Sequence, residues 1–272
     1  MEGLPRSGAS QTGLELLTWH VQESPELDEM LETHAGHAFQ TKNQEQLERN
    51  AMMLLKTEED VLATLLQDLG GINASMSAWC GQVIDWQDLR DIRFRSHVLN
   101  IDGQRTILDG GRFGIATRAW VEPTLAGARM HVELVPRFQQ ERGPYSSILM
   151  RERPKSRFVE QLARNIDLEP GEVLLLTCHG RPPAPEPPPP FVGPPIGEDP
   201  DPDDDPSLDS RIPSPGTRAE HMEKIGHALF ELRGESPERI ILVLVPRVPA
   251  TMLPPPTTNR ERRASADVES SP

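Results

Sequence analysis

The chain has 272 residues, enough for one or two domains, but its 28 prolines and a mean hydropathy of −0.49 indicate that part of it cannot build a packed core. Its net charge is −14, and the acidic excess lies in residues 1–70 (13 acidic, 4 basic) and 181–217 (8 acidic, 2 basic). Residues 79–180 are nearly neutral. No basic segment indicates contact with nucleic acid, so we expect an acidic periphery around a neutral core and no nucleic-acid partner.

The two cysteines, Cys80 and Cys178, form no CxxC pair, which argues against a zinc or redox centre. The sequence favours two separate buried thiols. The alternative, if the protein is exported, is one disulfide between them. Residues 1–13 lack the basic and apolar regions of a secretory signal. No apolar run reaches the ~18–20 residues of a membrane-spanning helix, so the chain as written is predicted to be soluble.

The N-terminal quarter is predicted to hold one strand and a helical arm. The β-branched residues of "GLELLTWHVQES" (13–24) favour a strand, which Ser24-Pro25 ends. Apolar residues then recur at spacings of three, four and seven up to the Gly70-Gly71 stop, as expected for a pair of helices that covers a sheet. These residues are Leu47, Ala51, Leu54, Val61, Leu65 and Leu69.

From Trp79 the apolar period changes to two, which predicts strands. Strand 91–99, the turn Asp102-Gly103-Gln104 and strand 105–108 are expected to form a hairpin. "LDGG" (108–111) is predicted to be a second turn. Residues 112–122 and 130–134 alternate again around a glycine-containing loop, so they are expected to form a second antiparallel hairpin.

The last third alternates between ordered and proline-rich segments. Residues 156–166 satisfy both helical and strand periods, whereas Val173–Leu176 is predicted to be a strand. Residues 181–217 contain half of the prolines and the acidic run "EDPDPDDDP", which predict a disordered, self-repelling segment. Residues 221–232 favour a short amphipathic segment, and residues 249–272 a disordered tail.

The apolar run Ile240–Val245 lies beyond the proline-rich segment and has no neighbouring strand of its own. An isolated strand cannot satisfy its backbone groups, so this run must pair back with the sheet formed by residues 91–178. The proline-rich segment is therefore predicted to be an insertion in one domain. "Val-Pro-Arg" occurs at 135–137 and 245–247, where proline marks strand ends and the arginines face water or anions.

Four phrases, in this order, resemble the C-terminal domain of bacterial secretins, the outer-membrane ring proteins of type II and type III secretion. "SHVLNIDGQRTILDGG" resembles the family's strand, turn and strand, and "RFGIATRAWVEPTLAGARMHVELVPRF" resembles its hairpin. "LEPGEVLLLTC" and "IGHALFELRGESPERIILVLVPRV" are similar to its last two segments. "GLELLTWHVQES" is similar to the strand that precedes this domain. The chain departs from the family at Thr177-Cys178-His179, where secretins usually have Gly-Gly.

The resemblance implies a non-enzymatic structural protein of envelope secretion, located in the outer membrane or periplasm. Its partners would be copies of itself and other secretion-system proteins, and any membrane contact would use β-strands only. The alternative is a soluble interaction module that keeps the secretin-like sheet and binds a protein partner. No export signal precedes the chain as given, and the N-terminal ring modules of long secretins have no room in it.

The sequence assigns no catalytic, cofactor or metal residue. Glu32, His34 and His37 could share a helical face, but Gly36 weakens that helix and no third strong ligand is indicated. Cys178 and His179 are strand neighbours that point to opposite faces, which argues against a nucleophile and its base. The acidic run lacks the glycine and glutamate of a calcium loop.

Two other motifs carry no function either. The glycines of 101–114 lack the spacing that binds phosphate. The motif "RERRAS" (260–265) resembles a phosphorylation site for a basophilic kinase at Ser265, but the sequence favours an inert tail. The expected fold is α+β, mainly antiparallel β-sheet with an N-terminal helical segment and a long disordered Pro/Asp-rich insertion. The expected divisions are 1–12 (disordered), 13–78 (strand plus helical arm), 79–248 (secretin-like β domain with insertion 181–217) and 249–272 (tail).

Overall fold

The computed structural model describes residues 12–39, 42–125, 127–140, 156–181 and 223–248, which fold as an α+β protein with mainly antiparallel strands. Single-turn 3₁₀ segments precede α3 and β9. The elements in chain order are β1 (Gly13–Gln22), α1 (Leu27–His34), β2 (Gly36–His37), α2 (Lys42–Arg49), β3 (Met52–Glu58), α3 (Leu62–Asp68), β4 (Ala74–Gly81), β5 (Val83–Ile101), β6 (Gln104–Thr124), β7 (Gly127–Gln140), β8 (Ser156–Phe158), β9 (Arg164–Leu168), β10 (Glu172–Cys178), β11 (Glu223–Lys224), α4 (Ile225–Phe230), β12 (Glu231–Leu232) and β13 (Glu238–Arg247).

Sheet I contains seven of the described strands, in the order β2-β3-β10-β13-β1-β4, with β12 also paired to β13. The strand β13 lies in its middle. It pairs with β1 from Glu238 to Arg247 and with β10 at Leu242–Leu244, antiparallel on both sides. The predicted return of the apolar run to an earlier strand is confirmed, since β10 is one of its two neighbours.

The apolar run of β13 is continuous because both of its faces are covered. Ile240, Leu242 and Leu244 belong to the core between the two sheets. Ile241, Val243 and Val245 face the opposite side, where α1 and α3 contribute leucines such as Leu31 and Leu65. A strand that is buried on both faces has no polar side to alternate with, which explains the sequence pattern.

Sheet II contains six described strands in the order β11-β5-β6-β7-β8, with β9 also paired to β7. The two predicted hairpins are confirmed. β5 and β6 meet at Asp102 and Gly103, both with positive φ (52° and 85°), as a two-residue hairpin turn requires. β6 and β7 pair along their length from Gly111 to Thr124.

Three layers result: α1 and α3, then sheet I, then sheet II. The core between the sheets takes alternate residues from β6 and β7, and α4 closes it with Ile225, Leu229 and Phe230, each fully buried. The outer face of sheet II carries Arg118, Trp120 and Glu122 of β6 and His131 and Glu133 of β7. The layer in which a strand lies therefore decides whether its apolar residues alternate with polar ones or form a continuous run.

Two local predictions and the single sheet are wrong, and one ambiguous segment is resolved. The helical arm is interrupted by β3, a strand at Met52–Glu58, so residues 25–69 contain α1, α2 and α3 around a strand of sheet I. "LDGG" is no turn: β6 continues through it, with Gly110 at φ +55° and Gly111 tight against the Gln139 carbonyl. The residues of the ambiguous segment form β8, a 3₁₀ turn and β9. The single expected sheet is divided into two.

The two Val-Pro-Arg phrases differ from the prediction in one respect. Pro246 lies at the end of β13, but Pro136 lies inside β7, opposite Ile115. β7 pairs with β9 before Pro136 and with β8 after it, so the missing N–H falls at the break between these partners.

The expected domain limit between residues 78 and 79 falls within β4. Most of the expected insertion 181–217, the segment 1–11 and the tail 249–272 lie outside the described residues.

We predict that Gly226→Ala destabilises the protein by about 1–3 kcal/mol. A Cβ at Gly226 would overlap the carbonyl oxygen of Ala51 and press on the Cys178 side chain, while the Gly226 N–H donates to the Asn50 carbonyl. Urea denaturation measures the change. Gly36→Ala is the matched control, since its Cβ would meet nothing within 4 Å, and we expect a change within about 0.5 kcal/mol. Equal effects of the two variants would contradict the packing.

Candidate functional site

The edge strand β4 is the first candidate site. Among the described residues it pairs with β1 alone, from Gly81 opposite Leu14 to Ala74 opposite His20. Every residue from 74 to 79 is exposed, including Met76 (67% of its surface) and Trp79 (38%). Neither the helical layer nor sheet II therefore covers residues 74–79, although the central strands β10, β13 and β1 of the same sheet are buried on both faces.

The local sequence places β4 at this edge. Gly70 and Gly71, both with positive φ, end the α3 region, and the Asn73 N–H donates to the His20 carbonyl to start the antiparallel pairing. At the other end, Gly13 approaches the backbone of Gly81 so closely that a side chain at Gly13 would overlap it. The strand is thus fixed by backbone contacts at both ends while the side chains of residues 74–79 remain in solvent.

The chemistry of β4 is unusual for a sheet edge. Natural proteins protect edges with charged side chains, proline or very short strands, because unpaired backbone groups attract other strands. The eight residues "ASMSAWCG" contain no charge and no proline. β4 is therefore suited to accept another strand, and we name residues 74–81 the open edge.

A second candidate site is the buried guanidinium of Arg239, whose side chain is 1% exposed. Its Nε donates to Glu23 at 2.7 Å, and its Nη atoms contact Glu23 and Asp28. Asp28 also accepts from the Gly180 N–H at 2.9 Å and lies 3.6 Å from Nδ1 of His179. Burial alone would raise the pKa of Asp28, but His179, Arg239 and Gly180 together hold it well below the usual value.

Charged residues beside this cluster join the two chain segments that border residues 182–222. Arg181 donates from Nε to Glu231 at 2.7 Å and from Nη2 to Glu223 at 3.3 Å. His97 of β5 contacts the same Glu223 at 2.8 Å. Residues on the two sides of the 182–222 segment therefore meet at one place, beside the start of β13.

His227 of α4 lies behind these ion pairs and is nearly buried. Its Nε2 contacts the His179 carbonyl at 3.2 Å. Burial, followed by the charge of Arg181, lowers the pKa of His227 to about 4, so the ring is neutral at pH 7. Burial also raises the pKa of the neighbouring Glu231 carboxyl, and this effect exceeds the opposing effect of Arg181.

The third candidate is the outer face of sheet II, which carries ion pairs and aromatic rings. Arg118 of β6 donates from Nε to Glu133 of β7 at 2.8 Å and stacks 4.5 Å from the Trp86 ring. The rings of Trp120 and His131 are 4.7 Å apart. Glu122, His131 and Asp167 lie close together beyond them. These contacts link β5, β6, β7 and β9 across their outer surface.

The residues singled out from sequence are held apart. His34 contacts Asp68 at 2.7 Å and His37 contacts Glu32 at 3.5 Å, so the two histidines have separate partners. Cys80 and Cys178 are both free thiols. Burial raises the pKa of Cys178 to about 12, while His179 faces Asp28. The acidic run at 198–206 and Ser265 lie outside the described residues.

The open edge, the Arg239 cluster and the grouping on sheet II were not predicted from the sequence. The uncharged composition of 74–81 was an available signal for the first. The others depend on residues far apart in the chain, such as Glu23 and Arg239, which only the sheet order brings together.

Comparisons with protein-family models, curated proteins and solved structures found no match. In the described part of the chain, none of the helices has the length and apolar character needed to cross a membrane.

We predict that Arg239→Met lowers the free energy of unfolding at pH 7 by about 2–4 kcal/mol, because it leaves Glu23 and Asp28 without their cation. Folding lowers the pKa of Asp28, so its contribution is present above the unfolded pKa of about 3.9 and disappears as the pH falls towards the folded value. The difference from wild type should therefore shrink below pH 4. Arg49→Met, at an Arg–Asp pair with a 60% exposed arginine, is the control and should change little.

We predict that His227→Asn reduces the loss of stability between pH 7 and pH 5. The pKa of His227 rises from about 4 to about 6.5 on unfolding, so the unfolded state takes up the proton first and acid favours unfolding. Wild type should lose about 1–2 kcal/mol through this residue, measured by urea denaturation at both pH values. An unchanged pH dependence in His227→Asn would refute the assignment.

Proposed function

We propose that this protein is a non-enzymatic, secretin-like structural protein that assembles with copies of itself as a component of protein secretion in the cell envelope. Other secretion-system proteins are its further partners, and the outer membrane or periplasm is its location. The order of the secretin-like phrases supports the secretion role. The single observation that carries self-assembly is the open edge, residues 74–81, which pairs with β1 on one side and exposes uncharged side chains on the other.

Strand addition supplies the physical basis of assembly. Eight residues of extended chain span about 26 Å, and each backbone group along the free side of β4 can bond to an added strand. Met76 and Trp79 add exposed apolar surface that a neighbour would bury. Pairing removes the unsatisfied edge from both partners, which is how secretin subunits are joined in the family that the sequence resembles.

A second copy of this chain can approach the open edge in spite of the protein's negative charge. The net charge is −14, and the acidic excess that makes two copies repel each other lies in residues 1–70 and 181–217. The open edge contains no charged residue and is therefore a place where two copies can approach without opposing like charges. We therefore propose that assembly begins at β4.

The alternative function is a soluble interaction module that retains the secretin-like sheet and binds a different protein. The observation that favours it is the same open edge, because strand addition also accepts an extended segment of another chain. Cell fractionation distinguishes the two functions: recovery with the outer membrane supports the secretin-like component, and recovery in the cytosol supports the module.

We predict that the purified protein forms multimers in detergent and that Met76→Lys raises the concentration for half-assembly at least about tenfold, equivalent to about 1.4 kcal/mol. A lysine on β4 brings a charge to the free edge without removing a core side chain, since Met76 is exposed. Light scattering coupled to size exclusion measures the mass, and electron microscopy shows whether rings form.

Ile107→Lys is the matched control, because Ile107 is also an exposed apolar residue (56%) but lies on β6 of sheet II. It should assemble like wild type. A strictly monomeric wild-type protein would contradict self-assembly. Particles of dimer mass alone would support pairing through β4 and contradict a secretin-like ring.

A further inference from the structure

Three side chains with metal-ligand chemistry gather on the outer face of sheet II, away from the open edge. They are Glu122 of β6, His131 of β7 and Asp167 of β9, and one donor atom from each lies within 4.8 Å of the other two. All three residues are half-buried. They form the single group of three or more such residues within the part of the chain that the structure describes.

Strand register explains the grouping. His131 lies opposite Trp120 on β6 and opposite Asp167 on β9. Glu122 is two residues beyond Trp120 on the same strand, and so points to the same face. The neighbours Met130 and Val132 point into the core, so the register cannot slip by one residue without burying His131. Three adjacent strands thus hold three ligands in a row.

The donor set is one imidazole nitrogen and two carboxylates. Imidazole is a ligand for zinc and other first-row transition metals, and carboxylates complete such sites in proteins. We propose that Glu122, His131 and Asp167 bind a divalent first-row transition cation of the Zn²⁺ class. A tetrahedral ion with bonds of about 2.0–2.2 Å holds its donor atoms about 3.4 Å apart. The three donors now lie within 4.8 Å of one another, and Nδ1 of His131 is 2.7 Å from Asp167, so side-chain rotations must separate that pair slightly while they close the site. Three protein ligands leave the fourth position for water.

A cationic group already stands between the two carboxylates. Arg129 donates from Nη2 to Glu122 at 3.1 Å and from Nη1 to Asp167 at 2.8 Å. Its Nε is buried and has no hydrogen-bond partner among the described residues. The two carboxylates therefore accept hydrogen bonds from the guanidinium but leave one of its buried donors unsatisfied. About one third of the Arg129 side chain is exposed, which leaves a path to solvent when a metal ion replaces it.

The neighbours of the imidazole show which nitrogen faces the proposed ion. Its Nδ1 lies 2.7 Å from Asp167, a fellow ligand, so Nδ1 is the nitrogen on the side of the site. Its Nε2 lies 3.9 Å from Glu133, beyond hydrogen-bond distance. The Trp120 ring packs 4.7 Å from the imidazole and restricts its rotation.

Zn²⁺ titration of the full-length protein by calorimetry, after treatment with a chelator and its removal, tests the site. We expect saturable binding of one ion at this site and a rise in the thermal unfolding temperature, because the folded state binds the ion. His131→Ala and Asp167→Asn should each weaken binding at least about tenfold. Arg129→Gln should tighten it about tenfold, because it removes the competing charge. Affinity should fall with acid, since the ligands must be deprotonated.

His34→Ala is the control, because His34 also contacts an aspartate at 2.7 Å but lies on α1, outside this group. It should leave the zinc affinity of the site unchanged. Absence of binding at millimolar Zn²⁺, or binding that folded His131→Ala retains in full, would overturn the proposal. Failure of Arg129→Gln to tighten zinc binding would also count against the proposal. Unfolding of this variant would lower its zinc affinity, so it cannot produce the expected gain.

Discussion

The structure depends on the insertion of β13 between β10 and β1. Its six residues from Ile240 to Val245 are buried and pair with β1, and Leu242–Leu244 also pair with β10. Each such side chain contributes about 1.5–3 kcal/mol by leaving water. The chain reaches this position only after residues 182–222. Loop closure becomes more costly by only about 0.6 kcal/mol for each doubling of loop length, so a long excursion is compatible with a stable sheet.

Charged groups fix the register of β13 at both ends. Arg239, its second residue, contacts Glu23 and Asp28, and Arg247, its last, contacts Glu15 and Glu59. A shift of one residue would move each guanidinium away from its carboxylates and turn the apolar faces over. Buried ion pairs add little to stability compared with apolar side chains, because each charge loses its hydration. Their effect here is to make one alignment of an otherwise uniform run of aliphatic residues preferable to the others.

The elements that sequence predicts correctly are those with local signals. Three such signals each lie within about ten residues of sequence: the Asp102-Gly103 turn, the alternation in β6 and β7, and the aliphatic run of β13. β3 was mistaken for helix because Met52–Leu55 is buried on both faces, and a continuous apolar stretch has no period that separates helix from strand. The grouping of Glu122, His131 and Asp167 could not be predicted either, because the ligands are up to 45 residues apart and meet only through the order β6-β7-β9.

Layer order also decides where this protein can meet other molecules. Sheet I is covered by helices on one face and by sheet II on the other, so only its edges can take part in new contacts, and β4 is the edge with uncharged residues. Sheet II has one uncovered face, and alternation fills that face with charged and aromatic side chains. The strand pairing that we propose therefore belongs to sheet I, and the cation binding that we propose belongs to sheet II. The two surfaces lie on different strands and use different chemistry, so a substitution that abolishes one of these proposed contacts should leave the other intact.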